Sequence, residues 1–68
     1  MIEVFKTNVN STSAQTLLAE LQIHFPSCKI NFDLEDCDRI LRVEGLDFCT
    51  KTIEKIVASS NHSCEVLL

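Results

Sequence analysis

Apolar and polar residues alternate without a break across residues 28–35, from Cys28 to Glu35, which is the clearest periodic signal in the chain. A period of two describes a strand with one face buried and one wet. After the polar turn Asp36-Cys37-Asp38, residues 39–44 form the next strand, with Leu41 and Val43 inward, Arg42 and Glu44 outward, and Ile40 out of phase. So short a connection predicts an antiparallel hairpin. Upstream, Ala14, Leu17, Leu18, Leu21 and Phe25 fall at helical spacing, with Gln15, Glu20 and Gln22 on the other side. This is an amphipathic helix of about three turns. Asn10, Ser11 and Ser13 are all competent N-caps for it. Pro26 ends it, because the residue before a proline is pushed out of the α region.

Downstream, Gly45-Leu46-Asp47 breaks the third strand, and Asp47 is the expected N-cap of a second helix. Cys49, Ile53, Ile56 and Val57 form its apolar stripe, with Lys51, Glu54 and Lys55 outside. Residues 1–8 read as a first strand, carrying Ile2, Val4 and Phe5, although the alternation slips at Phe5. Residues 63–68 read as a last strand with Val66 and Leu68 on one face. The order is βαββαβ, in one domain spanning residues 1–68. Two helices of this length cover one face of four strands. Right-handed crossovers then give an α+β, ferredoxin-like two-layer sandwich with an antiparallel sheet of order 4-1-3-2. A three-stranded sheet with a swapped strand is the alternative.

Net charge is −4, with a pI near 4.9, so neither nucleic acid nor an anionic membrane is an expected partner. Glu3 and Lys6 interrupt the apolar start, no signal-peptide cleavage pattern follows, and no apolar run approaches the roughly 20 residues of a membrane helix. The expected location is the cytoplasm, where Cys28, Cys37, Cys49 and Cys64 would be free thiols.

The segments 31–36 and 39–45, in their positions within the whole pattern, resemble the central hairpin of heavy-metal-associated domains. The resemblance extends over nearly the whole chain in element order, length and hydrophobic pattern. Members of that family are copper chaperones and soluble domains of metal-pumping ATPases. Their signature, Met-x-Cys-x-x-Cys, lies between the first strand and the first helix. Aligning the family's apolar helix positions on Leu17 and Leu21 puts the methionine at Asn8 and the cysteines at Asn10 and Ser13. An amide and a hydroxyl are neutral and hard, whereas such sites need soft thiolates. The metal function therefore does not carry over, and no cofactor is expected.

Other residues are candidates for chemistry. Cys37, His62 and Cys64 are expected at the end where the family binds metal, and they define an alternative, a divergent copper or zinc binder. Cys28 and Cys49 are expected to point inward as small buried hydrophobes. Asp33 and Glu35 are expected to face cross-strand partners such as Arg42 on a solvated sheet face. Asp36 and Asp38 lack the loop of alternating oxygen donors that calcium requires. A single glycine leaves no phosphate loop, and Ser11 and Ser13 have no adjacent His and acid. After the first strand, Lys6-Thr7-Asn8 lacks the arginine cradle of an acylphosphatase. An RNA-binding sheet would want exposed aromatics on its central strands and a basic surface, but Phe5 is the only candidate and the net charge has the wrong sign.

The expectation is a non-catalytic protein-interaction or accessory module. Its contact surface would be the end loops 8–13 and 61–63, with Asn8, Asn10, Ser13, Cys37 and His62 as candidate partner-facing residues. A homodimer through an edge strand, chiefly the last, is a related expectation.

Overall fold

A computed structural model describes residues 1–35 and 37–67. Its elements follow the order β1 (Ile2–Thr7), α1 (Ser11–His24), β2 (Lys29–Asp33), β3 (Ile40–Glu44), α2 (Thr50–Ala58) and β4 (Cys64–Val66). The fold is α+β, with a four-stranded antiparallel sheet in the order β2-β3-β1-β4. Read from the other edge, that order is 4-1-3-2. The described sheet therefore has four strands rather than three. α1 packs on the β2 side of the sheet and α2 on the β4 side.

The phase of β1 explains the slip at Phe5. Phe5, Thr7 and Val9 are the buried set, so Ile2 and Val4 belong to the open face of the sheet. Phe5 stands opposite Leu41 on β3 and Val66 on β4, and Ile30 on β2 stands opposite Val43. These residues meet Leu17 and Leu21 of α1 and Ile53, Ile56 and Val57 of α2 in one core. A chain of this length has little buried surface to spare, so each of these side chains matters. Gly45 has a steric reason. A Cβ built there would lie 2.6 Å from the Sγ of buried Cys28.

Several expectations are corrected. The β2 ladder spans Lys29–Asp33 rather than residues 28–35, although burial continues to alternate through Glu35. It ends because β3 begins only at Ile40, opposite Asp33. β3 in turn is held back by Arg39, whose φ of 47° is left-handed and breaks extended pairing. Arg42 does not reach Asp33 or Glu35. It stands opposite Asn31 and pairs instead with Glu44, 3.7 Å away along its own strand.

The second helix starts at Thr50, with Cys49 rather than Asp47 as N-cap. Cys49 is exposed, contrary to the inward position expected of it, and Phe48 is the buried residue. The backbone at Cys49 is extended (φ −101°, ψ 117°), so successive side chains alternate there and Phe48 takes the inward turn. The last strand is Cys64–Val66, shorter than residues 63–68. The placements expected for Asp36 and Leu68 lie outside the described residues.

Candidate functional site

The first loop, the hairpin turn and the loop before β4 meet at one end of the sheet, joined largely by side-chain hydrogen bonds. Thr7 is the pivot. Its backbone N–H donates to the Asp38 carbonyl at 3.1 Å, which carries the β1–β3 contact one step beyond the last paired residues. Its buried hydroxyl donates to the Arg39 carbonyl at 2.6 Å and accepts from the Val9 N–H at 3.2 Å. The Arg39 guanidinium returns across the gap and donates to the Val9 carbonyl at 3.1 Å. The left-handed backbone at Arg39 thus belongs to a turn clamped on both sides to the loop that follows β1. Lys6 and Asp38 add an exposed ion pair at 3.9 Å, a minor contribution beside these bonds.

Asn8 and Asn10 each spend their side-chain oxygen on the backbone. Asn10 Oδ1 accepts from the Ser13 N–H at 2.8 Å, which selects Asn10 among the three candidate N-caps of α1. Asn8 Oδ1 accepts from the Ser63 N–H at 2.8 Å and so ties the first loop to the loop before β4. That second loop leaves α2 through Asn61, whose φ of 64° is the left-handed conformation that commonly ends helices. Between it and α1 lies a small pocket of about 210 Å³. Thr12, Ser13, Thr16, Ser60 and His62 line it with polar groups, over Leu17.

The structure therefore gathers Asn8, Asn10, Ser13 and His62 around two adjoining loops. Cys37 is exposed in the turn that Thr7 and Arg39 clamp to the same end. Among the described residues, no three His, Cys, Asp or Glu side chains come together as a metal would require, Cys37, His62 and Cys64 included. Cys64 is half-buried, and its thiol is pushed up to about 12, first by burial and then by Glu54 and Glu65.

The other two cysteines are unlike each other. Cys28 is buried, as expected, in the core beside Gly45. Cys49 makes no capping hydrogen bond, yet its thiol is held below the ordinary range. The Thr52 hydroxyl is the main cause, followed by the Thr52 and Lys51 backbone N–H groups, which favour the thiolate.

Thr7 and Arg39 were not apparent as site residues from the sequence. The available signal was phase, since Thr7 shares the inward register of Phe5 and Val9 and a buried hydroxyl needs partners. Nothing local in the sequence announced Arg39. The chain matches no family model, no curated protein and no solved structure.

Proposed function

We propose that this chain is a non-catalytic protein-interaction or accessory module, built on a ferredoxin-like scaffold related to the heavy-metal-associated domains but without their thiolate site. Strand order and element order support the scaffold. The observation that carries the functional reading is the bonding of the end loops. At the three positions aligned with the family's methionine and cysteines stand Asn8, Asn10 and Ser13, and all three are engaged in loop-fixing hydrogen bonds. A loop pre-ordered in this way presents side chains with little further entropy to lose on binding, which favours docking. The docking surface comprises residues 8–13 and 61–63 with the adjoining turn at Cys37.

Photo-crosslinking in the native host tests this reading, with the probe placed at Thr12 or His62 and, as controls, at Lys51 or Lys55 on the exposed side of α2. One discrete protein adduct from the first pair, and none from the second, is the expected result. Tight stoichiometric binding of copper(I) or zinc under reducing conditions, abolished by Cys37→Ser, would overturn it in favour of a divergent metal binder.

A further inference from the structure

The edge formed by β2 is bare on one side and adjoins a helix. Among the described residues β2 pairs only with β3, so along its outer side alternate residues direct their N–H and C=O groups away from the sheet. Between this edge and α1 lies an open groove of about 490 Å³. Its apolar lining comes from Ala14 and Leu18 on the helix and from Phe32 and Leu34 on the strand side. Leu18, Phe32 and Leu34 are half-buried hydrophobics that pack on the core from one side only. At the opposite edge β4 has only three residues, and short edges offer little ladder.

The side chains of the β2 segment are complementary to themselves. When two copies pair antiparallel about Asn31, each residue meets the one equally far on the other side of that centre. On the open face Lys29 then meets Asp33, twice by symmetry, and Asn31 meets Asn31. On the helix-side face Ile30 meets Phe32, and Cys28 meets Leu34. Opposite charges and apolar side chains therefore coincide, and no like charges stand opposite each other. Lys29, Asn31 and Asp33 are exposed, and among the described residues neither Lys29 nor Asp33 is in an ion pair. The exposed face of α1, which would approach its symmetry mate, carries Ser11, Gln15, Ala19 and Ile23 without a charge.

We propose that the occupant of this edge and groove is a second copy of the chain. The two β2 strands join antiparallel about a two-fold axis into one continuous eight-stranded sheet, and each groove is closed by the partner's side of the same surface. Such an interface is isologous and closes at two copies. This goes beyond the end-loop reading and rests on a different surface.

Sedimentation analysis of the full chain across about 5 µM to 1 mM tests it, with hydrogen exchange of the β2 amides recorded in parallel. The expected result is a monomer–dimer equilibrium in which protection at residues 29–33 rises with concentration. Lys29→Glu and Asp33→Lys should each weaken the dimer at least about tenfold, because like charges then meet twice. The double variant Lys29→Glu/Asp33→Lys should recover it. A monomer at every concentration overturns the proposal, and so does a dimer that ignores both single changes or is not recovered by the double. A monomer whose groove instead takes up a peptide of alternating valine and lysine overturns it in favour of a heterologous strand. The exchange measurement needs no variant, so a misfolded variant leaves the proposal open to refutation.

Discussion

Asn10 Oδ1 accepts the backbone N–H of Ser13 at 2.8 Å. On the proposed alignment with the heavy-metal-associated domains these two positions would carry the metal-binding cysteines, and here they are bonded to each other as a helix cap. Replacing Asn10 by Ala should destabilise the chain by about 1 kcal/mol, whereas Asp, which caps equally well, should be nearly neutral. Urea melts of the two variants check this. Equal losses would show that the cap contributes nothing.

Thr7 carries a larger share of the same end. Thr7→Val keeps the shape but removes a donor to the Arg39 carbonyl and an acceptor for the Val9 N–H, both at a buried hydroxyl. A loss of about 1–3 kcal/mol is expected. Faster amide exchange at Val9, with little change in the helices, would locate the damage in the loop.

Gly45 and Cys28 should be coupled. Gly45→Ala drives a methyl into the Cys28 Sγ and should cost about 1–3 kcal/mol. In a Cys28→Ala background the sulfur is gone and most of that penalty should vanish. Additive losses in a double-mutant cycle would contradict the steric account.

The exposed and the half-buried thiol should differ in reactivity and in their effect on stability. Cys49, with its lowered pKa and full exposure, should be alkylated by iodoacetamide well before Cys64 in the folded protein. The folded-state pKa of Cys64 is raised from the ordinary 9.0 to about 12, so the folded chain holds its proton more tightly than the unfolded chain does. The stability linked to this thiol is therefore complete below pH 9.0 and declines as pH rises from there toward about 12. Denaturation midpoints at successive pH values should fall more steeply in the parent than in Cys64→Ala.

These relationships differ in how visible they were in the sequence. The unbroken alternation around Ile30 and Phe32 reports a half-buried strand directly, and the spacing of Ala14, Leu17 and Leu21 reports the helix. Both signals depend only on which face is wet. Where a strand stops is a property of two strands together, so the end of β2 was set by Arg39, a residue outside it. The start of α2 failed for a similar reason. Asp47 is a good cap in isolation, but burial of Phe48 moved the helix two residues on. At the site, Asn10 and Ser13 were legible as cap residues. The bond from Ser63 to Asn8 joins residues 55 positions apart, which no local pattern encodes.

On the proposed reading, the end loops keep a metal-chaperone-like architecture while lacking its thiols. The most direct measurement is copper(I) binding, by competition with a chromogenic chelator under reducing conditions, for the parent chain and for the double variant Asn10→Cys/Ser13→Cys. The parent should show no stoichiometric binding and the variant tight binding of about one equivalent, because two soft thiolates are then held at the start of a preformed helix. Stoichiometric binding by the parent, or a folded double variant that binds no copper, would contradict that reading.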